Sequence, residues 1–280
     1  MSKILNKKNL INCNGQLLDL STPKVMGILN VTPDSFYDGG KHADQILKHT
    51  AQMLSDGADI IDIGAYSSRP GAAEVSVKEE KERLNKALDI VRSKYPDAIL
   101  SVDTFRAEIA QYVVENYHVD IINDIAAGDL DKDMFDVMAQ LQVPYIMMHM
   151  KGNPQIMQQM AQYDDVVTEV IQYFAEKVSV LKEKGLHDVI IDPGFGFGKT
   201  IEHNYEIISR LQEFAIFELP LLVGVSRKSM IYKPLQITAE QALNGTSILN
   251  TIALQKGANI LRVHDVKEAV ECVKIMNLVG

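Results

Sequence analysis

The stretch KVMGILN (residues 24–30) is a continuous apolar run that ends in a polar residue, and the chain repeats this pattern seven more times. Strands of a parallel sheet buried on both faces have this composition, and helix-like sequence follows nearly every run. Eight βα units in one chain predict a (β/α)8 TIM barrel of the α/β class. The other runs are DIIDIGA (59–65), ILSVD (99–103), VDIIND (119–124), PYIMMH (144–149), DVIIDPG (188–194), LPLLVGVSRK (219–228) and ANILRVHD (258–265).

Polar residues at the ends of these runs predict where the functional site lies. In this fold the carboxyl ends of all the strands converge on one mouth, which is where active sites are found. We therefore expect one cavity to be lined by Asn30, Asp103, Asn123, His149, Asp192, Lys228, Arg262 and His264.

The length of 280 residues slightly exceeds the roughly 250 residues of a typical barrel, so we expect a single domain. Residues 1–22 form a predicted N-terminal extension, and residues 23–280 form the predicted barrel. Within the extension, Asn14-Gly15 joins two short apolar segments and suits the positive φ angles of a tight hairpin turn. We expect this β-hairpin to plug the lower end of the barrel.

Composition excludes several classes of protein. A net charge of −9 argues against general binding of nucleic acid or of an acidic membrane, so any anionic substrate needs local cations. Cys13 and Cys272 are too few for a disulfide framework or a zinc site. The longest apolar runs fall well short of the roughly 18 residues of a membrane span. We expect a cytoplasmic protein with reduced thiols.

The loop after the first run, GILNVTPDSFYDGG (27–40), contains oxygen ligands. Asn30 offers a neutral oxygen to a hard cation, and Asp34 and Asp38 offer either carboxylate ligands or hydrogen bonds within the loop. Read alone, the segment is equally typical of a structured surface turn.

The loop after the second run, AYSSRPGA (65–72), places Arg69 directly after a strand. Arg69 could bind a phosphate with two hydrogen bonds, and Ser67 or Ser68 could add hydroxyl donors. A surface arginine in a turn is the alternative, and the position after the strand favours function.

Asp103, Asn123 and Asp192 suit the donor and acceptor edge of a nitrogen heterocycle, because a carboxylate accepts from amine and ring N–H groups. Each could instead cap the following helix, but three at successive strand ends favour a ligand. Lys228 can donate to a carbonyl or a ring nitrogen, and Ser229 is expected to open a helix whose N–H groups favour an anion.

Arg262 and His264 alternate along the last run, so both side chains point to the same side of the strand. Two such groups suit a diphosphate, although a lone histidine is more often structural. The segment DPGFGFGKT (192–200) is not a nucleotide-binding loop. Pro193 stands where a phosphate-binding loop needs glycine, and Lys199 stands where the dinucleotide motif needs glycine or alanine.

These residues and their order resemble the dihydropteroate synthases of the pterin-binding family, from about Lys24 to the last helix. The shared motifs, in family order, are GILNVTPDSF, SSRPGA, SVDT, IND, MHMKGNPQIMQ, DPGFGFGK, SRKS and RVHD. The resemblance implies an enzyme of folate biosynthesis that joins a dihydropterin-CH₂-diphosphate to p-aminobenzoate and releases diphosphate. It also implies a magnesium cofactor and a homodimer, with small molecules as the substrates.

The resemblance assigns a role to each matching position. Asp103, Lys228 and Arg69 are expected to be catalytic. Asn30 matches the magnesium ligand, with Asp38 as a second candidate. The pterin contacts match Asp103, Asn123, Asp192 and Lys228; the diphosphate contacts match Ser68, Arg69, Arg262 and His264; the p-aminobenzoate site matches Ser229, with Phe36 and Pro70 enclosing its ring.

In the second loop the family commonly reads GGESTRPG, whereas Ala65, Tyr66 and Ser68 here replace a glycine, a glutamate and a threonine. Ser68 keeps the hydroxyl, and Tyr66 is expected to change loop packing and the affinity for p-aminobenzoate or sulfonamides.

Two alternatives were weighed against this interpretation. A methyltransferase that passes the methyl group of a methylated folate to a corrinoid would keep the pterin carboxylates but would not need Arg69, Arg262 and His264. A non-catalytic pterin-binding protein would lack the metal and loop residues that this chain retains.

Overall fold

The computed structural model describes residues 9–31, 42–66 and 75–279, and within them eight parallel strands close into a barrel after an antiparallel hairpin. In the sheet, β3 to β8 lie side by side in chain order, and β10 and β9 follow on the other side of β3. A bridge between Ile191 and Leu221 joins the two edges of the sheet. The strands are β1 (Leu10–Cys13), β2 (Gln16–Asp19), β3 (Lys24–Asn30), β4 (Ile60–Gly64), β5 (Ile99–Asp103), β6 (Ile121–Asp124), β7 (Tyr145–Met148), β8 (Val189–Asp192), β9 (Leu222–Val223) and β10 (Ile260–Val263).

Helices follow the strands and form the outer layer, which confirms the predicted TIM barrel. The helix α2 begins after Ser76, whose side chain accepts a hydrogen bond from the N–H of Glu79 at 3.2 Å. No described helix is long and apolar enough to cross a membrane. The helices are α1 (His42–Ser55), α2 (Val77–Lys94), α3 (Ala107–Tyr117), α4 (Met134–Leu141), α5 (Val166–Glu183), α6 (Ile201–Ser209), α7 (Ser229–Leu235), α8 (Leu243–Gln255) and α9 (Val266–Val279), with 3₁₀ turns at Met157–Met160 and Leu211–Phe217.

Each barrel strand sends alternate side chains outward and inward. The outward residues pack against the helices and form the main apolar core. The lowest inward residues form a second apolar layer: Met26, Ile60, Ile99, Ile121, Ile146, Ile190, Leu222 and Ile260. Two residues further along each strand, the inward positions become largely polar: Ile28, Asp62, Ser101, Asn123, Met148, Asp192, Gly224 and Arg262. This change from apolar to polar places the functional site in the upper half of the barrel.

The hairpin β1–β2 closes the lower end of the barrel. Asn14 and Gly15 have φ angles of 49° and 90°, as their sequence predicts. The apolar face of the hairpin, which includes Ile11 and Leu20, packs on the lowest inward layer. The side-chain amide of Asn259 donates to the carbonyl of Leu20 at 3.2 Å, so the hairpin is also hydrogen-bonded to the last strand region.

The seventh run differs most from its prediction, because only Leu222–Val223 of residues 219–228 form a strand. The N–H of Lys228 donates to the carbonyl of Val225 at 3.2 Å, and Arg227 has a φ of 55°. This turn ends the extended chain before Lys228, which becomes the N-cap of α7. Ser229 therefore opens a helix, as expected.

Candidate active site

A buried ionic network crosses the inside of the barrel at its polar layer. The Nε of Arg262 on β10 donates to Oδ2 of Asp62 on β4 at 2.7 Å, and its Nη2 donates to Oδ2 of Asp103 on β5 at 2.9 Å. The side-chain amide of Asn123 on β6 also donates to Oδ2 of Asp62, at 3.1 Å. Four strands thus place two carboxylates, one guanidinium and one amide in mutual contact.

Burial raises the pKa of Asp103 above its ordinary range, and the nearby carboxylates of Asp62, Asp124 and Glu80 raise it further. The guanidinium of Arg262 opposes this effect. The pKa of Arg262 is itself raised, because Asp62 and Asp103 outweigh the effect of burial. Burial outweighs the contact with Arg262, and the pKa of Asp103 is about 7, so both its ionised and its protonated forms are present at neutral pH.

A second group of polar residues comes from the end of β8 and from the turn between β9 and α7. Oδ1 of Asp192 accepts from the N–H of Gly194 at 2.8 Å. Nζ of Lys228 donates to the carbonyl of Phe195 at 2.5 Å and lies 4.8 Å from the ring centre of Phe197. Burial raises the pKa of Asp192 and lowers that of Lys228 to about 8, and each charge opposes the shift of the other. This pair provides one acceptor and one cation beside the ionic network.

Two glycines, Gly64 and Gly196, lie against polar side chains of this region, and their lack of a Cβ atom leaves space there. A Cβ atom on Gly64 would lie 3.4 Å from Oδ1 of Asn30 and 3.6 Å from Cβ of Asp103. A Cβ atom on Gly196 would lie 3.3 Å from Cδ of Lys228. The amide oxygen of Asn30 and the carboxyl group of Asp103 thus flank a recess above the end of β4.

His264 lies just beyond β10 and is exposed, and its Nδ1 is 3.0 Å from the hydroxyl of Ser226. Although part of the residue reaches solvent, the protein atoms packed around its ring and the guanidinium of Arg262 lower the pKa of His264 to about 4. The imidazole is therefore neutral at neutral pH, so it can act as a hydrogen-bonding group but adds no positive charge.

His149 differs from expectation, because its ring does not join the other strand-end residues. It packs edge-on against Tyr173 of α5, with ring centres 4.8 Å apart, and Nδ1 lies 2.9 Å from Nζ of Lys199. The preceding Met148 is an inward residue, so His149 points outward from the barrel wall. The expectation for His149 is therefore wrong.

Lys199 is a buried residue that the sequence argument missed. Besides His149 Nδ1, its ammonium contacts three backbone carbonyls, those of His149 at 3.2 Å, Gly194 at 3.0 Å and Phe197 at 3.0 Å. Burial lowers the pKa of Lys199 to about 7. These contacts join the loop after β7 to the loop after β8, which follows Asp192 and carries Phe195.

The residues that flank the second loop, which follows β4, contact residues of the third loop, which follows β5. The guanidinium of Arg106 pairs with Glu80 and donates to the carbonyl of Val75 at 2.6 Å. The ring of Tyr66 packs edge-on against Phe105 with centres 5.1 Å apart. Tyr66 therefore contacts the third loop. Several predicted site residues lie outside the described residues: Asp34, Phe36, Asp38, Ser68, Arg69 and Pro70.

The structure therefore brings Asp103, Asn123 and Arg262 into one network, with Asp192 and Lys228 beside it. Sequence reasoning missed Asp62, which lies within a strand and not at its end. A charged residue inside the otherwise apolar run DIIDIGA was the signal that could have found it.

Residues 26–264 match the family of pterin binding enzymes. The chain is 45% identical over 266 residues to the dihydropteroate synthase of Escherichia coli strain K12, with 94% of this chain and 93% of that protein covered. It is similar to the crystal structure of Yersinia pestis dihydropteroate synthase with a sulfonamide drug complex (43% identity, TM-score 0.90, coverage 96% and 98%). It is also similar to Xanthomonas albilineans dihydropteroate synthase with 4-aminobenzoic acid (36% identity, TM-score 0.89, coverage 97% and 98%).

Proposed function

Because the chain belongs to the family of pterin binding enzymes, we propose that the mouth of its barrel catalyses the dihydropteroate synthase reaction of folate biosynthesis. The enzyme is a transferase. It joins the methylene carbon of a dihydropterin-CH₂-diphosphate to the amine of p-aminobenzoate, and diphosphate leaves. The observation that carries the proposal is the buried network of Asp62, Arg262, Asp103 and Asn123, which sets acceptors for a pterin beside a cation for a diphosphate.

The pterin is held by Asp103, Asn123, Asp192 and Lys228 in this proposal. The three acceptor groups suit the amine and ring N–H groups of a pterin, and the ammonium of Lys228 suits its carbonyl or a ring nitrogen. Support comes from the burial of Asn123 and Asp192 and the partial burial of Asp103 and Lys228, since a hydrogen bond to a ligand is stronger where water is excluded.

The diphosphate is held by Arg262 and His264, together with Ser68 and Arg69 of the second loop. Among its contacts with described residues, Arg262 uses two of its five N–H groups, on Asp62 and Asp103, so the other three can donate to phosphate oxygens. The low pKa of His264 gives it the role of a neutral donor.

The bond to the diphosphate breaks ahead of attack by the amine, in an SN1-like step. An aryl amine is unprotonated at neutral pH and needs no general base, so departure of the diphosphate is the difficult part. No described residue donates to Oδ1 of Asp103, which leaves this oxygen free to stabilise positive charge on the methylene carbon. Ser229 at the start of α7 binds the carboxylate of p-aminobenzoate, with Phe36 and Pro70 closing over its ring.

Magnesium is the proposed cofactor, and Asn30 is its proposed ligand. The recess above Gly64 exposes a neutral amide oxygen, which is a donor that hard cations accept. Within the described residues no cluster of three or more histidine, cysteine, aspartate or glutamate side chains could hold a metal, so the other ligands would be diphosphate oxygens, with Asp38 as a further candidate. When bound, magnesium neutralises charge on the leaving group. We also propose a cytoplasmic homodimer.

The test is release of diphosphate from the pterin diphosphate in the presence of magnesium, with and without p-aminobenzoate. We expect release that depends on p-aminobenzoate. Replacement of Asp103 by asparagine should lower kcat about 100-fold, the usual effect of removing one group that stabilises transition-state charge. Pterin binding without release would contradict the proposed reaction, and an unchanged kcat in Asp103→Asn would contradict the role of Asp103.

A further inference from the structure

Asp62 is a fully buried carboxylate in the middle of β4, two residues before the end of the strand. Its Oδ2 accepts from Nε of Arg262 at 2.7 Å and from Nδ2 of Asn123 at 3.1 Å. Its Oδ1 has no partner among the described residues. The side chain of Asp62 is closed off from solvent, so its influence on a ligand passes through the two side chains it holds.

The hydrogen bond between Asn123 and Asp62 can form with only one orientation of the amide. An ionised aspartate can only accept hydrogen bonds, whereas an amide donates through nitrogen and accepts through oxygen. The nitrogen of Asn123 must therefore face Asp62, and Oδ1 must face away from it. No described residue donates to that oxygen. Without a carboxylate at position 62, the amide could turn over with little change in shape.

We propose that Asp62 determines ring specificity by fixing Asn123 as an acceptor toward the heterocycle. This inference rests on the proposed function. With Asn123 oriented in this way, the ligand-facing groups on β5, β6 and β8 are all acceptors, contributed by Asp103, Asn123 and Asp192. Such a pocket selects a ring edge that carries an amino group and disfavours one that carries a carbonyl at the same place.

Because Arg262 has a second carboxylate partner, a change in ring specificity can be distinguished from a general loss of ligand binding. Nη2 of Arg262 also donates to Asp103 at 2.9 Å, so we expect the guanidinium to keep a carboxylate partner when Asp62 is changed. Asparagine at position 62 can also accept from Nε of Arg262 through its own oxygen. Its nitrogen, however, can donate to Asn123, which permits the reversed amide.

The experiment compares the binding of pterin and lumazine by calorimetry, using the full chain. The two pteridines differ at position 2, where pterin has an amino group and lumazine has a carbonyl. One mismatched buried hydrogen bond corresponds to a difference of about tenfold or more, so the wild type should prefer pterin by at least about tenfold. In Asp62→Asn we expect the preference to fall to within about threefold, because either amide orientation becomes available.

The double variant Asp62→Asn with Asn123→Asp exchanges the two groups and keeps the donor–acceptor pair and the buried charge. Aspartate at position 123 is an acceptor in any orientation, so the preference for pterin should return to about its wild-type value. This variant also tests the proposal if Asp62→Asn does not fold. Ser101→Ala is the matched control, because Ser101 is as buried as Asp62 and is paired with it on the neighbouring strand β5. The ratio of pterin to lumazine affinity should not change in this variant.

An unchanged ratio in Asp62→Asn, with both affinities lowered equally or not at all, would overturn the proposal. A double variant that folds but keeps no preference for pterin would overturn it as well. In either case a wild type that prefers pterin and makes dihydropteroate leaves the proposed function intact. A wild type that binds neither ring would overturn the proposal about Asp62, and a wild type that also makes no dihydropteroate would overturn the proposed function.

Discussion

Replacing Lys199 with methionine tests whether the buried ammonium holds the loops after β7 and β8 together. The side chain is 3% exposed, and its Nζ lies within 3.2 Å of three backbone carbonyls and of Nδ1 of His149. Methionine has a similar length but no N–H group. The substitution therefore leaves these buried acceptors without their donor.

The expected loss follows from counting those acceptors. An ammonium has three N–H groups, so at most three of the four contacts are full hydrogen bonds at one time. Each buried acceptor left unpaired costs about 1–3 kcal/mol, and relief from burying a charge offsets part of the total. We expect a net loss of about 3 kcal/mol, which lowers Tm by about 6–12 °C for a chain of this size.

The measurement is the Tm by differential scanning calorimetry at pH 7. The control is Lys184→Met, because Lys184 forms an exposed ion pair with Asp136, and exposed pairs contribute about 0–1 kcal/mol. If the Tm values of Lys199→Met and Lys184→Met agreed within about 2 °C, the reasoning about the buried ammonium would be refuted.

Three further predictions concern stability. Burial lowers the pKa of Lys199 from 10.5 to about 7, so the native protein binds fewer protons than the unfolded chain between these values. The advantage of wild type over Lys199→Met in urea unfolding should therefore grow as pH rises through this window, and a constant difference would count against it. Tyr145→Phe removes a 2.6 Å hydrogen bond to buried Asp124 and should lower the free energy of unfolding in urea by about 1.5–3 kcal/mol. A decrease below about 0.5 kcal/mol would be inconsistent with a buried hydrogen bond. Gly194→Ala places a Cβ atom 2.0 Å from a carbonyl oxygen of the loop after β7, so it should lower the free energy of unfolding by more than about 4 kcal/mol. Gly185 also has a positive φ but lies in open space, so Gly185→Ala should lower it by about 1–2 kcal/mol. Equal losses in the two alanine variants would show that the close approach is not important.

The barrel could be predicted from sequence because its strands are buried on both faces. Apolar runs are then continuous, and every barrel strand lies within one of the eight runs. The hairpin could be predicted because Asn14-Gly15 specifies its turn. The short β9 could not, because apolar sequence continues through the extended chain that follows it.

The site could be predicted only in part, because the end of an apolar run does not show which face of the strand a residue lies on. Asp103, Asn123 and Arg262 lie an even number of residues from the apolar inward layer, and they meet inside the barrel. His149 lies an odd number from Ile146 and points outward. Asp62 has the right parity but lies inside a run, so only counting along the strand would have found it. Lys199 carries no signal, since lysine is seldom buried.

The hairpin plug has a consequence for the order of folding. Ile11 and Leu20 are made early in synthesis, but the apolar layer that covers them includes Ile260, from the last strand of the barrel. Asn259, which bonds the carbonyl of Leu20, also follows nearly the whole chain. At typical synthesis rates of about 5–20 residues per second, the last barrel strand is made of the order of ten seconds or more after the hairpin. The hairpin is therefore made before the barrel strands but is among the last segments to acquire its native contacts.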